Sequence, residues 1–349
     1  MEYKRLGDLA TYVNGYAFKP ADRGETGLPI IRIQDLTGNG YDLGFYDGEY
    51  PKKVEINNGD VLISWSASLG VYVWERGKAL LNQHIFKVVF DKEIVNKDYF
   101  VYAVRYNLKV MESKMHGATM KHIIKKDFDN VLVPFPPLQK QKEIAEILTC
   151  LNSTIEKRKQ QFRQLDELVK ARFVELFGDI QMPSKWDKKP WSDLVTIQNG
   201  KDYKKIAVET GGYPVYGTGG EMARASEYLC PENTVIVGRK GTINNPLLVE
   251  EKFWNVDTAF GVIVGNQLHY QYFYNFCKLF DFSTLNKQAV LPSTTKADLL
   301  KIEIAVPPIE LQNEFANFVK EVDKSKFVVQ KALDEAQTLF DSLMQEYFG

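Results

Sequence analysis

The chain has 349 residues, 44% hydrophobic, 26% charged and 13% aromatic, which is long enough for two domains and typical of a soluble globular protein. Because the sequence contains neither an apolar run of about eighteen residues nor the apolar centre of a signal peptide near its start, we expect a cytoplasmic protein that makes no membrane contact. The formal net charge of −1 excludes a protein that coats nucleic acid through charge alone.

A long stretch of the sequence occurs twice. The segment HGATMKHIIKKDFDNVLVPFPPLQKQ, which starts at His116, aligns with KQAVLPSTTKADLLKIEIAVPPIELQ, which starts at Lys287. The offset of 171 residues holds without a gap as far as the Phe-Gly pairs at 177–178 and 348–349. A gapless match of this length indicates an internal repeat.

The upstream parts of the two copies also match, at other offsets. LGDLATYVNG (from Leu6) pairs with WSDLVTIQNG (from Trp191), and DVLIS (from Asp60) pairs with TVIVG (from Thr234). The two copies therefore share the same conserved segments but differ in the lengths of the loops between them. This favours two versions of one function over a gene duplication without functional meaning.

The first part of each copy, at 1–137 and 188–308, reads as a mixed α+β domain. Runs such as DVLISW, IFKVVF and FGVIVG are rich in β-branched and aromatic residues, which predicts short strands. The segments KDYFVYAVRYNLKVMES and YQYFYNFCKLF predict single helices that interrupt the strands.

A long helix is predicted after each Pro-Pro pair, over 138–178 and 309–349, with a linker at 179–187. Proline ends the preceding strand and suits the first turn of a helix. Apolar residues then recur at steps of four and three for over four heptads in both copies. This seam comprises Ile144, Leu148, Leu151, Ile155, Phe162, Leu165, Val169, Leu176, Phe315, Val319, Val322, Val329, Leu333, Phe340, Leu343 and Tyr347.

Because an isolated helix cannot bury such a stripe, we predict that the two helices pack on each other as an antiparallel coiled coil. Their charges favour pairing, since 139–178 holds eight basic and six acidic residues and 310–348 holds four and eight. Arg158, Arg172 and Lys326 interrupt the seam. They either extend along its edge with their charges in water or fix the register of the pair.

The two copies resemble the conserved regions of Type I restriction–modification specificity subunits. The resemblance rests on the openings PPLQKQKEIAEIL and PPIELQNEFANFV, each followed by a heptad helix that ends in Phe-Gly, and on LGDLATYVNG and DVLIS upstream. It covers nearly the whole chain. One departure is that the family often has an acidic residue before the Gln of the opening, where Lys140 and Leu311 stand here.

The resemblance implies two target-recognition domains, 1–137 and 188–308, separated by the helix pair. Each domain is expected to read one half of a bipartite, asymmetric target in double-stranded DNA, while the helices set the unread spacer and bind two methyltransferase subunits. Restriction subunits would join that assembly. S-adenosylmethionine, ATP and Mg²⁺ are expected on the partner subunits, and no cofactor on this chain.

The sequence predicts neither a catalytic site nor a metal site. It lacks an Asn-Pro-Pro-aromatic methyltransferase motif, a GxGxxG loop and a GxxxxGK[ST] loop, and its cysteines and histidines lack the spacing of metal ligands. Pro231-Glu232 with Glu250-x-Lys252 imitates the PD…ExK arrangement of many nucleases. A surface turn with a solvated charge pair explains these residues better, because the first acid is Glu rather than Asp.

Candidate base readers are donors and amides on loops at strand ends. The loop GRKGTINN is the strongest, because glycine lets a loop enter a groove and Arg can read guanine with two hydrogen bonds. We expect Trp65 to lie in the core rather than to stack on a base. The first-domain candidates are Ser64, Ser66, Ser68, Lys114, His116, Thr119, Lys121 and His122, and the second-domain candidates are Arg239, Lys240, Thr242, Asn244, Lys287, Gln288, Ser293, Thr294 and Lys296.

Two other classes of protein are alternatives to this interpretation, a stand-alone enzyme and a structural scaffold. A stand-alone restriction enzyme or methylase would need the catalytic motifs that the sequence lacks. A coiled-coil scaffold that joins two protein-binding domains, without binding DNA, would have the same architecture and stays open at this point.

Overall fold

The chain forms two compact units of mixed helix and strand, which confirms the α+β class. A computed structural model describes residues 2–40, 42–112, 123–285 and 293–349. Unit 1 comprises Met1–Arg158 with Ala332–Gly349, and unit 2 comprises Lys159–Lys331. Within the described ranges, no helix combines the length and the apolar character that crossing a lipid bilayer requires.

Unit 1 contains mostly short strands, followed by a medium helix and a long one. Its strands are β1 (Tyr3–Arg5), β2 (Thr11–Asn14), β3 (Leu28–Ile31), β4 (Phe45–Tyr46), β5 (Glu55–Ile56), β6 (Val61–Ser64), β7 (Gly70–Val73), β8 (Ala79–Leu81), β9 (Ile85–Val89) and β10 (Leu132–Pro134). Its helices are α1 (Leu6–Leu9), α2 (Ile33–Leu36), α3 (Lys97–Glu112), α4 (Lys125–Asp129) and the first half of α5 (Leu138–Phe177).

Unit 2 repeats this order. Its strands are β11 (Lys188–Pro190), β12 (Val195–Asn199), β13 (Ala207–Val208), β14 (Tyr213–Gly217), β15 (Gly220–Ala225), β16 (Thr234–Gly238), β17 (Leu247–Val249), β18 (Trp254–Asn255), β19 (Ala259–Val264) and β20 (Glu303–Ala305). Its helices are α6 (Tyr270–Leu279), α7 (Lys296–Leu299) and the first half of α8 (Ile309–Phe348). Short 3-10 helices lie at Pro20–Asp22, Lys52–Val54, Trp191–Asp193, Lys204–Ile206 and Phe282–Leu285.

The two units have equivalent sheets. An antiparallel sheet has the order β2-β9-β6-β7 in unit 1 and β12-β19-β16-β17 in unit 2. Val61 lies opposite Val88 in the first and Val235 lies opposite Val262 in the second, so both partners shift by the same 174 residues. The sequence repeat is therefore also a repeat of strand register.

A second sheet in each unit covers the back of the first, with the order β4-β3-β8-β5 in unit 1 and β13-β15-β14-β18 in unit 2. In β6, Val61 and Ile63 face the core that contains the helices, whereas Leu62 packs with Trp74 and Leu81 on the other side. Both faces of this strand are buried, which explains why it reads as a continuous apolar run.

Each long helix crosses from one unit to the other. Helix α8 ends in the core of unit 1, and helix α5 ends in the core of unit 2. Phe348 of α8 packs on Tyr99 of unit 1, with 5.2 Å between ring centroids, and Phe177 of α5 packs on Tyr272 of unit 2, with 4.6 Å. Burial raises the pKa of both tyrosines above the ordinary value. Both phenols therefore stay neutral and donate to backbone carbonyls of the adjoining strands.

The predicted seam residues lie on the inner faces of α5 and α8. Buried members are Ile144, Leu148, Ile155, Val169, Phe315, Val319, Val322, Val329 and Phe340. Partly buried members are Leu151, Phe162, Leu165, Leu176, Leu333, Leu343 and Tyr347.

Near each helix end, residues outside the predicted seam are the more deeply buried ones. Phe173 and Phe177 in α5, and Met344 and Phe348 in α8, are buried, and they follow steps of four. Here the helix packs on the globular part of its unit as well as on the other helix. The face it buries therefore follows the 3.6-residue period of the α-helix rather than a heptad.

Two polar residues of the seam form ion pairs between the helices within unit 2. Lys326 Nζ lies 2.7 Å from Asp166 Oδ1, and Arg172 Nη2 lies 2.6 Å from Glu314 Oε1. The pairs show that α5 and α8 run antiparallel there. Because each cation meets an acid of the other helix, these contacts favour the interpretation that the polar residues fix register.

A buried glutamine holds the first turn of each long helix. Gln141 accepts a hydrogen bond from Asn96 N at 2.9 Å and donates to Pro136 O at 2.9 Å. In unit 2 the equivalent Gln312 accepts from the backbone N–H at the start of α6 and donates to the carbonyl of the second Pro-Pro pair, each at 2.8 Å. This pair of bonds joins three segments of each unit at one point.

We predict that Gln312→Met lowers the free energy of unfolding by about 2–4 kcal/mol, because each buried N–H or C=O left without a partner costs about 1–3 kcal/mol. Methionine has a similar length, so the change removes the hydrogen bonds and little packing. Denaturant titration of the purified chain measures the effect. Asn313→Ala, at the adjacent exposed position, is the control and should change stability little. Equal stability of the two variants would contradict the role of Gln312.

Candidate nucleic-acid interface

Three segments of unit 2 meet at the end of strand β16. Arg239 N donates to Thr258 O at 2.9 Å, and Arg239 O accepts from Thr294 N at 3.0 Å. The Thr294 hydroxyl also donates to Gly238 O at 2.6 Å. We call the residues 238–246, 256–258, 281–285 and 293–296 the unit 2 corner.

Unit 1 has the same arrangement at the end of β6. Trp65 N donates to His84 O at 3.2 Å, and Trp65 O accepts from Ile123 N at 3.0 Å. These residues occupy the positions of Arg239 and its two partners in the repeat. The residues 64–70, 82–84 and 123 form the unit 1 corner.

Five of the predicted second-domain residues are exposed at the unit 2 corner: Arg239, Lys240, Thr242, Asn244 and Lys296. The Arg239 guanidinium lies 5.9 Å from the centroid of the Phe260 ring and donates at 3.3 Å to the backbone carbonyl of the exposed Asp257. The guanidinium is thus in contact with the protein while the residue stays exposed. Lys240 is brought beside Ser293 by an antiparallel bridge.

Asn244 connects the loop to the next segment of the corner. Its Nδ2 donates to Asp281 Oδ1 at 2.7 Å, and its Oδ1 accepts from Phe282 N at 2.8 Å. Hydrogen bonds from the Ser283 hydroxyl, from Asn244 and from the Ser283 N–H hold the pKa of the Asp281 carboxyl below its ordinary value. Both ends of the Asn244 amide are therefore engaged, which favours a structural role in this state.

Three predicted residues are buried: Ser64, Ser66 and Thr294. The Ser64 hydroxyl donates to Ser68 O at 2.6 Å, and Thr294 is engaged with Gly238 as described. Their burial argues against direct contact with a ligand. Ser68 is exposed on the same loop.

Trp65 packs against the core of unit 1, as predicted from the sequence. Its ring lies 5.6 Å from Phe86 in a stacked arrangement, and its Nε1 donates to Asn14 Oδ1 at 3.3 Å. Its position matches that of Arg239 in unit 2. The two corners thus present different chemistry on the same backbone frame.

The other predicted residues lie outside the described residues. They belong to two segments, 113–122 and 286–292, that directly precede the corner residues Ile123 and Ser293. These candidates are Lys114, His116, Thr119, Lys121, His122, Lys287 and Gln288.

The nuclease-like residues lie on the surface. Glu232, Glu250 and Lys252 are exposed, and the Lys252 ammonium lies 5.1 Å from the Tyr228 ring. In the described part of the chain, no group of His, Cys, Asp and Glu side chains is arranged to hold a metal ion.

The sequence patterns singled out the corner loops but not the residues that hold the helix starts and the Asn-Gly turns. Gln141 and Gln312 carry a visible signal, since they stand at the same place in both copies beside Pro-Pro. The glycines of the two Asn-Gly pairs are a second case. A Cβ on Gly15 would lie 2.0 Å from Asn82 O, and one on Gly200 would lie 1.8 Å from Val256 O, so both positions require glycine.

The family model described as "Type I restriction modification DNA specificity domain" matches residues 1–165 and 183–336. The chain belongs to this family. The two matched regions correspond to the two copies of the repeat, which agrees with the duplicated sheets and corners.

Specificity subunits of Type I restriction enzymes are among the similar proteins. The EcoBI specificity subunit of Escherichia coli is 28% identical over 205 residues, covering 58% of this chain and 43% of that protein. The MjaVIII specificity subunit of Methanocaldococcus jannaschii is 26% identical over 220 residues, covering 58% and 51%. The chain therefore matches about half the length of these relatives.

A solved structure of a Type-I restriction-modification system S subunit from M. genitalium shares the fold, with a TM-score of 0.66 over 100% of this chain and 96% of that one, at 16% identity. A chain from a structural study of complex assembly in the type I R-M system gives a TM-score of 0.57, covers 99% and 97%, and is also 16% identical.

We predict that Asn244→Ala loosens the unit 2 corner. Because a hydrogen bond contributes about 1 kcal/mol, its loss should speed amide exchange at Phe282 about fivefold and raise exchange across 238–246. Hydrogen–deuterium exchange with mass spectrometry measures this. Asn245→Ala, at the adjacent exposed position, is the control. Unchanged amide exchange in the Asn244 variant would show that the hydrogen bonds of Asn244 with Asp281 and Phe282 do not hold the loop.

Proposed function

We propose that this chain is the DNA sequence-specificity subunit of a Type I restriction–modification complex, with each unit reading one half of a bipartite target. The observation that carries the proposal is the pair of corners, which share one hydrogen-bonded frame and differ in the side chains they present. Trp65 and Arg239 at equivalent positions are the clearest difference. A protein that reads two unlike half-sites needs this combination, because sequence is read by side chains on base edges.

Unlike corners imply a target that is not palindromic. Two identical half-sites would call for two identical reading surfaces, as in symmetric dimers. In unit 2, Arg239, Lys240 and Thr242 are the exposed donors that we assign to base or backbone contact. In unit 1, Ser68 is the exposed candidate among the described residues.

We assign the helix pair two functions, setting the spacer between the half-targets and docking two methyltransferase subunits. The ion pairs of Lys326 and Arg172 support a fixed register. A groove at equivalent places in both units supports two similar docking surfaces. Asp98 and Thr149 are among the lining residues in unit 1, and Gln271 and Lys320 occupy the equivalent positions in unit 2.

Restriction subunits complete the proposed assembly. We assign S-adenosylmethionine, ATP and Mg²⁺ to the methyltransferase and restriction subunits and no catalysis to this chain. The sequence basis for this assignment is the lack of a methyltransferase motif or phosphate-binding loop.

The decisive experiment is selection of target DNA. The purified chain, together with its methyltransferase subunit, is incubated with random double-stranded DNA, and the bound fraction is sequenced. We expect enrichment of two different short sequences at a fixed distance. Stable protein–protein complexes without any enriched DNA sequence would instead identify a coiled-coil scaffold.

Arg239 should govern specificity in one half-target only. If it reads a base edge, Arg239→Ala weakens binding to the target by about 1–3 kcal/mol and relaxes one position. Arg239→Lys keeps the charge but cannot form the paired hydrogen bonds to a base. We therefore expect it to weaken target binding and relax the same position as Arg239→Ala does. Binding to libraries randomised in each half-target measures both variants. Full recovery of binding by the lysine variant would identify a phosphate contact instead.

Inserting four residues in α5 near Lys159 tests the spacer function. The insertion adds about 6 Å and advances the helix about 40° beyond a full turn, while DNA advances about 3.4 Å and about 35° per base pair. The preferred spacer should therefore lengthen by one or two base pairs with both half-targets unchanged. Methylation of DNA libraries with variable spacers measures this.

The control is a four-residue insertion after the exposed Met182, in the segment between α5 and β11, which leaves both helices intact. It should keep the original spacer. A folded and active α5 insertion variant with the original spacer would show that the helices do not set it.

A further inference from the structure

The turn that follows each Asn-Gly pair has a repeated composition. The first copy reads NGYAFK over 14–19 and the second reads NGKDYK over 199–204. In both, an aromatic residue stands three positions after glycine and a lysine stands four positions after it. This similarity occurs where the neighbouring sequence of the two copies otherwise differs.

Each turn is pressed onto the backbone of its unit. Beyond the close approach at Gly15 and Gly200, Tyr16 N donates to Leu81 O at 2.8 Å and Lys201 N donates to Asn255 O at 3.0 Å. The equivalent bonds fix the path of the chain immediately after the glycine.

The aromatic residue anchors the turn from inside. Phe18 packs between Tyr16 and Tyr46, with centroid distances of 5.0 and 5.2 Å. Tyr203 packs against a small core that contains Trp254, and the Trp254 indole donates to the backbone of the turn at 2.9 Å.

The lysines of the turn are left exposed: Lys19 in unit 1, and Lys201, Lys204 and Lys205 in unit 2. Within the described residues, the ion pairs of the two units engage other basic side chains and none of these four. The one acid within the unit 2 turn, Asp202, accepts a hydrogen bond from Lys204 N. It therefore helps shape the turn.

Each turn adjoins the corner of its unit. In unit 1, the Trp65 indole donates to Asn14, the residue before the glycine. In unit 2, Gly200 lies against the backbone of Val256. Two residues after Val256, the carbonyl of Thr258 accepts a hydrogen bond from Arg239 N. Turn and corner therefore lie next to each other in both units.

We propose that these turns bind the phosphate backbone of DNA, through Lys19 in unit 1 and through Lys204 and Lys205 in unit 2. This inference rests on the proposed function. Lysine is a flexible point charge that suits phosphate without reading sequence. A rigidly anchored turn beside each corner would set the position of the reading loops along the duplex.

The test compares salt dependence of DNA binding for the complex of this chain with its methyltransferase subunit. Each phosphate contact weakens binding about 3.5-fold between 50 and 200 mM salt, from a slope of about 0.9 per phosphate. For the double variant Lys204→Ala/Lys205→Ala we expect a slope smaller by about two, and equal weakening on target and scrambled DNA. Lys19→Ala should reduce the slope by about one.

The control is Lys185→Ala/Lys188→Ala, which removes two exposed lysines of unit 2 away from the Asn-Gly turn. It should leave affinity and slope unchanged. An unchanged slope in the turn variants, or a loss confined to the target sequence, would overturn the inference while the proposed function stands. Failure of the unsubstituted complex to select DNA at all would overturn both.

Discussion

The buried glutamine at the start of each long helix is the contact on which the arrangement of each unit depends. Two prolines precede it, and the carbonyl of the first has no helical partner. Gln141 and Gln312 donate to that carbonyl and accept from the start of α3 or α6, so one side chain fixes where the helix begins and which way it points. A helix of 40 residues is about 60 Å long, and a change of 5° at its start would displace its far end by about 5 Å. Under the proposed function, the accuracy of the spacer would depend on this contact.

Residues that are the same in both copies build the scaffold, and the two corners differ in the residues placed on it. The glycine of each Asn-Gly pair, the helix-start glutamine, and the tyrosines Tyr99 and Tyr272 form equivalent contacts in the two units. Trp65 and Arg239 stand on the same backbone frame, but the indole packs on the core of unit 1 whereas Arg239 is exposed. Specificity could therefore change in one half without any cost to the fold of the other.

The sequence predicted the parts of the structure that depend on local pattern. The repeat, the two long helices and most of their buried faces follow from periodicity and offset. The depth of burial did not follow, because it depends on a second sheet that covers the back of the first. Ser64 ends a strand and looked like a loop donor, but it is buried and its hydroxyl donates to Ser68 O of the following loop. Asn244 likewise looked like a base reader, but Asp281 and Phe282, far along the chain, engage both ends of its amide.

The electrostatics of the chain limit what it could do alone. If Lys19, Lys204 and Lys205 each contact one phosphate, they would account for a change of only about 40-fold in affinity between 50 and 200 mM salt, against about 10³–10⁵ for proteins with six to ten phosphate contacts. A net charge of −1 leaves little further attraction to DNA. Under the proposed function, tight binding would then require phosphate contacts from the methyltransferase subunits, since base contacts supply discrimination more than total affinity.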